Sequence, residues 1–136
     1  MVLLKYLFIG LFSLTLVYAE APEHELIVKT FKLLSHHDKP LVVYEHNATV
    51  TLGNSWEGLS QQCEKADLVY GTLFENLAKE CQKLPRFTTD YESFLKDKNV
   101  IGAFYWRKGR PQLRFNKERC DDFEIHLPPE LVRYAQ

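Results

Sequence analysis

Six basic side chains, Arg107, Lys108, Arg110, Arg114, Lys117 and Arg119, lie close together near the end of the chain, beside Phe104, Tyr105, Trp106 and Phe115. Arginine and tryptophan dominate the energetics of binding surfaces, and clustered cations draw an acidic protein, an anionic ligand or a lipid surface. If Arg114 stands opposite Arg107 or its neighbour across a hairpin, the like charges repel until such a partner neutralises them. The same charge equally suits a solvated edge that deters sheets from adding to one another. Arg107, Lys108, Arg110 and Arg114, with Trp106 as an aromatic anchor, are therefore the candidate partner-binding residues.

A second candidate is Gly71-Thr72, where a strand is expected to run into a helix. Backbone N–H groups at a helix start attract anions, and a glycine permits close approach, so this pair is the candidate ligand-binding site; ordinary helix capping by Thr72 accounts for the same residues. Catalytic patterns are weak. His24, His36, His37, His46 and His126 are scattered, and no H-E-x-x-H, G-x-S-x-G or phosphate-binding glycine loop occurs. His36-His37-Asp38 reads as a solvent-facing turn rather than a metal site, because adjacent residues point apart. No metal, no cofactor and no enzymatic activity are expected.

The three cysteines are Cys63, Cys81 and Cys120. In an oxidising compartment two of them pair, and local spacing favours Cys63 with Cys81, a loop worth on the order of 3 kcal/mol. Cys120 is then a free, buried thiol, or displaces one of the others. None forms C-x-x-C, which removes the main support for a thioredoxin-like redox enzyme.

These residues need a scaffold. Leu26, Ile27, Phe31 and Leu34 recur at helical spacing between Glu23 and His37. Beyond Pro40, Leu41–Tyr44 reads as a buried strand, His46-Asn47 as a turn, Ala48–Leu52 as a second short strand and Trp56–Glu64 as a helix. Asp67–Gly71 is a further strand, and Leu73–Lys83 a helix with Leu73, Leu77 and Cys81 on one face. Arg86–Thr88 is a short strand or connector, followed by a brief helix through Tyr91, Phe94 and Leu95, capped by Thr89 or Asp90. Val100–Arg107 and Gln112–Phe115 form a hairpin turning at Lys108-Gly109-Arg110-Pro111. Asn116 caps a short helix, and Pro128-Pro129 opens a terminal one carrying Leu131, Val132 and Ala135. The expected fold is α/β: one small domain, a mixed sheet with flanking helices, parallel in its middle and closed by a C-terminal β-hairpin plus helix.

Compartment is set by the first residues. Lys5 precedes an almost wholly apolar run, Tyr6–Val17, which is followed by Val17-Tyr18-Ala19 and a polar stretch. The run is shorter than the roughly 20 residues a membrane span needs, so residues 1–19 read as a signal peptide and 20–136 as one exported domain, periplasmic or secreted. Removing Lys5 from the 17 Lys+Arg leaves 16 against 18 Asp+Glu, which argues against nucleic-acid binding. Asn47-Ala48-Thr49 is a glycosylation acceptor in a eukaryotic host.

The series Gly102-Ala103-Phe104, Gly109-Arg110, Leu113-Arg114-Phe115-Asn116, Ile125, Leu127, Leu131 and Tyr134-Ala135 resembles the close of the YfiR family of small periplasmic proteins, and Cys63–Tyr70 resembles that family's cysteine before a core strand. The resemblance covers residues 63–136. This chain is shorter, lacks the family's aromatic, Asn-rich first helix followed by Trp-Pro, and has an odd number of cysteines. The resemblance implies a periplasmic regulator that binds the outer domain of a membrane-bound diguanylate cyclase and holds it inactive. The expected partner is thus a membrane-anchored signalling protein, and a homodimer is compatible with it. The alternative is a small-ligand receptor for an anion, resembling one lobe of a periplasmic solute-binding protein and using Gly71 and Thr72.

Overall fold

The structure, a computed structural model, describes residues 22–36 and 38–135. The expected signal peptide, His37 and the last residue lie outside the described residues. No helix among the described residues is long and apolar enough to cross a membrane.

Helix α1 (Pro22–Leu34) carries Glu23 and Glu25 in its first turn and Lys32 in its last, charges that match the helix dipole. Its buried face is Ile27, Thr30 and Phe31, whereas Leu26, expected on that face, is 38% exposed. The helix stops three residues before His37 because Ser35 intervenes: its hydroxyl donates back to the Phe31 carbonyl and accepts from the N–H of Leu41, both at 2.8 Å.

Five strands make one sheet whose spatial order equals the chain order: β1 (Val43–His46), β2 (Leu68–Gly71), β3 (Arg86–Thr88), β4 (Val100–Arg107) and β5 (Arg110–Phe115). The first four are parallel and β5 is antiparallel to β4, the mixed α/β sheet expected from the alternation of elements. Between β3 and β4 the register jumps, Arg86 facing Val100 and Phe87 facing Gly102. Ile101 and Phe104 consequently serve one face, and Val100, Ala103 and Tyr105 the other.

On the first face lies the larger core. Phe31 meets Trp56, Tyr70 and Phe87 edge-on at 6.0, 5.5 and 5.3 Å, contacts worth about 0.5–1.5 kcal/mol each beyond the area they bury. Helices α3 (Lys117–Asp122) and α4 (Pro129–Val132) close this face with Cys120 and Leu131. Across the sheet, α2 (Tyr91–Lys96) packs Phe94 on Val100, Ala103 and Tyr105. Asp90 and Asn116 cap α2 and α3 by accepting from the N–H of Ser93 and Arg119, at 3.0 Å in each case.

Three expected elements are absent. Ala48–Leu52 is not a strand; it arches over the sheet with its backbone taken by side chains. Tyr70 donates its hydroxyl to the Val50 carbonyl at 2.5 Å, and Glu45 accepts from the Leu52 N–H at 2.5 Å. Trp56–Glu64 is not a helix either. Trp56 is buried and its indole donates to the Leu41 carbonyl, after which residues 58–60 run along the outer edge of β1 and cover it.

The predicted helix over 73–83 is replaced by turns. Asn76 sits at φ 63° and Ala78 is extended, which interrupts helical hydrogen bonding and leaves a single 3-10 turn, Lys79–Cys81. Cys81 is bonded to Cys63, its Cα 5.9 Å away, and the pair packs with Val69 and Leu77 on the second face. The pairing expected from spacing is therefore present, and it ties down two crossovers that have no α-helix to pack.

Smaller shifts follow local chemistry. The first strand begins two residues late, at Val43. The hairpin turn is two residues rather than four: Lys108 at φ 52° and Gly109 at φ 76° form the twisted turn that two-residue hairpins favour, so Arg110 and Pro111 belong to β5. The terminal helix is one turn, after which Tyr134 accepts the N–H of Phe115 at 2.9 Å and Ala135 bridges to that strand.

Candidate functional site

The hairpin projects from the packed sheet. Val100 to Tyr105 are buried, and the five residues from Trp106 to Arg110 are all exposed. Register decides what each side of the projection offers. Arg107 is opposite Arg110, Trp106 opposite Pro111, and Ala103 opposite Arg114. Residues directly across a ladder share a face, so Arg107 and Arg110 stand on one side and Trp106 and Pro111 on the other.

The like-charge rung is thus Arg107–Arg110, and the expected opposition of Arg114 to Arg107 or its neighbour does not occur. A two-residue turn pairs Arg107 with Arg110 and leaves Arg114 four residues further along β5, opposite Ala103. Arg114 is half-buried, its guanidinium 6.0 Å from the Phe94 ring. Arg119 leaves the basic patch altogether. It donates to the carbonyls of Phe94, Val100 and Leu95 at 2.5, 2.9 and 3.3 Å, which fastens the C-terminal end of α2 to β4 and α3. The sequence gives no signal for that role, because its three acceptors are backbone atoms brought together by the fold.

What remains at the tip is Arg107, Lys108 and Arg110. The ion pair found among the described residues is Arg86–Asp97 at 2.6 Å, and none involves these three. Trp106 beside them is 44% exposed, edge-on to Phe104 at 6.2 Å, with its indole N–H donated to the carboxylate of Glu23 at the start of α1. On the cationic side, Tyr105 packs against Tyr91 at the root of the projection, ring centroids 4.6 Å apart and planes tilted by 43°. The outer edge of β5 is poorly suited to adding a strand. Phe115 spends its N–H on Tyr134, and Pro111, on the same outward parity, has none.

Gly71 and Thr72 lie together at the carboxyl end of β2, but no helix starts there. A Cβ on Gly71 would run into the carbonyl oxygen of His46, so the missing side chain serves packing between β1 and β2. Thr72 is committed as well. Its hydroxyl accepts from the Thr49 N–H at 3.0 Å and meets the hydroxyls of Thr49 and Thr89 at 3.0 and 2.7 Å. The helix N-terminus on which an anion site was expected is therefore missing.

The other candidate groups are dispersed. His46 meets the Glu75 carbonyl at 2.8 Å and His24 the Leu52 carbonyl at 3.2 Å. Among the described residues one cluster has metal-ligand types in reach, Cys63, Glu64 and Cys81, and its sulfurs are consumed by the disulfide. Cys120 is free and buried; burial, and secondarily Asp121, push its thiol up to about 11, the reverse of what a nucleophile requires.

A cleft of about 820 Å³ that sequence reasoning does not find opens at the amino ends of the strands. Leu34, Leu41, Leu84, Phe123 and Ile125 are among its walls, and Lys39, Asp67 and His126 stand at its rim. It is assembled from the residues that enter three strands and leave α3, positions with no common local pattern.

No family model matches the chain, and no curated protein matches it. A solved structure of a conserved domain protein from Vibrio cholerae O1 biovar El Tor str. N16961 is similar, with 12% identity over 86% of this chain and a TM-score of 0.48. This chain spans 59% of the length of that protein.

Proposed function

We propose that the chain is an exported, non-enzymatic binding module of the YfiR-like kind, which regulates a membrane-anchored signalling protein by docking on its outer part through the β4–β5 hairpin. The observation that carries this reading is the tip itself: Arg107, Lys108 and Arg110 with no ion pair among the described residues, beside a half-exposed Trp106. A like-charge rung costs stability in the isolated domain and becomes favourable against acidic groups, which also speed encounter. The disulfide is compatible with an oxidising compartment, as export to the periplasm or beyond requires.

The test is capture of a membrane signalling protein encoded beside this chain, solubilised in detergent. Arg107→Glu with Arg110→Glu is expected to abolish capture. Arg114 is left alone because it is half-buried. Undiminished capture by the double variant overturns the hairpin as the docking surface.

A second reading, a small-ligand receptor, is favoured by one observation. The cleft at the amino ends of the strands lies within the roughly 300–1,000 Å³ range of ligand pockets and is walled mainly by apolar side chains, with a few polar groups at its rim. A thermal-shift screen of organic anions tests it. A ligand at about a hundred times its Kd adds about 2.7 kcal/mol, and the shift should disappear in Ile125→Arg.

A further inference from the structure

The tip's two faces carry different chemistry, and no single lateral approach reaches both. Arg107 and Arg110 are on one face, Trp106 and Pro111 on the other, and Lys108 is at the apex. An approach along the hairpin axis engages all of them. A specific protein–protein contact needs about 800 Å² from each partner, of which a two-residue turn and its last rungs form only a part. A lipid headgroup layer is different. It is deformable and planar, accepts a convex tip, takes tryptophan at its polar–apolar boundary, and offers phosphates to cations.

The start of α1 braces the tip. Glu23, in the first turn of α1, holds the indole of Trp106, so the N-terminal end of the domain and the hairpin occupy the same end of the molecule.

We infer that the exposed end formed by Trp106, Arg107, Lys108 and Arg110 docks end-on against an anionic phospholipid surface, with the three cations on headgroup phosphates and Trp106 at the interface. This deepens the regulatory reading and rests on it for its purpose: lipid contact concentrates the module in the plane where its membrane-anchored partner resides, and the tip then supplies only part of the protein footprint.

Vesicle co-sedimentation of residues 20–136, with the disulfide formed, tests the inference in the absence of any partner protein. Wild type is expected to bind vesicles containing phosphatidylglycerol, to be released by salt, and to ignore pure phosphatidylcholine. The triple variant Arg107→Glu, Lys108→Glu, Arg110→Glu should bind on the order of a hundredfold more weakly, at roughly fivefold for each cation lost. Trp56 is buried and Trp106 exposed, so a blue shift of emission that survives Trp56→Phe and vanishes in Trp106→Phe places the tip at the interface. Absence of binding to phosphatidylglycerol at low salt, or equal binding to both vesicles, overturns the inference. Because detergent capture contains no bilayer and these vesicles contain no protein, each reading fails separately: a tip that captures the signalling protein and ignores lipid is a protein-docking surface alone.

Discussion

Arg107 faces Arg110 across the last rung of the β4–β5 ladder, closed by the two-residue turn Lys108-Gly109. Like charges directly opposite are unfavourable, and replacing one by its opposite reverses the sign of a contact worth roughly 0.2–1 kcal/mol, near the lower end for so exposed a pair. Arg110→Glu is therefore expected to raise the melting temperature by a few degrees, at about 4–8 °C per kcal/mol in a small domain. The same variant is expected to weaken docking. Calorimetry showing a lower melting temperature contradicts the pairing, and a higher one guarantees that any loss of docking is not loss of fold.

Arg119 behaves oppositely. Three charge-assisted hydrogen bonds to the carbonyls of Phe94, Val100 and Leu95 disappear in Arg119→Met, and those carbonyls join α2 to the strand that carries the hairpin. A loss of about 2–3 kcal/mol in urea unfolding is expected. Lys117→Met, two residues away at an exposed position of α3, should be nearly silent, which separates loss of the bonds from loss of positive charge.

The disulfide substitutes for helical packing. Between β1 and β2, and again between β2 and β3, the chain crosses the sheet in turns, and Cys63–Cys81 joins those two crossings over a separation of 18 residues. Chain-entropy arguments give about 3 kcal/mol for such a loop. Cys63→Ala with Cys81→Ala should cost that much, and hydrogen exchange should accelerate first in residues 59–67 and 72–85 while β4 stays protected. Uniform acceleration across the sheet would instead mean that the two crossings unfold with the whole domain.

Elements with local signals were legible in the residues themselves. Asp90 and Asn116 accept from the N–H three positions on, and the apolar run over Val100–Arg107 has no competing reading. The crossings were not. Leu73, Leu77 and Cys81 have perfect helical spacing, yet Leu73 is 47% exposed while Cys81 is fully buried, because Asn76 and the disulfide set the path there. Similarly, the alternation over Ala48–Leu52 comes from a segment hung on Tyr70 and Glu45, partners distant in sequence or hidden by their own strand. At the site, the identity of the cations could be read directly. Their partners depend on turn length: a two-residue turn sets Arg107 against Arg110, where a turn over residues 108–111 would set it against Gln112.

Two buried acids predict how stability responds to alkali. The thiol of Cys120 is raised from an ordinary 9.0 to about 11, by burial and then by Asp121; the phenol of Tyr70 is raised above its ordinary 10.0 by burial, then by Glu45 and Glu23. Both ionise more readily in the unfolded chain, so above pH 9 the unfolded state holds fewer protons than the folded one, and stability falls as pH rises. It is undiminished by these groups below about pH 9, and the share due to Cys120 is fully lost above about pH 11. Urea midpoints measured from pH 8 to 11 are expected to decline across that window. Cys120→Ala, less stable at every pH because its buried volume is smaller, should decline less steeply, since one of these two raised acids is then gone. A slope identical to wild type would mean that the Cys120 thiol ionises equally easily in both states, which its burial against the Ile101 carbonyl opposes.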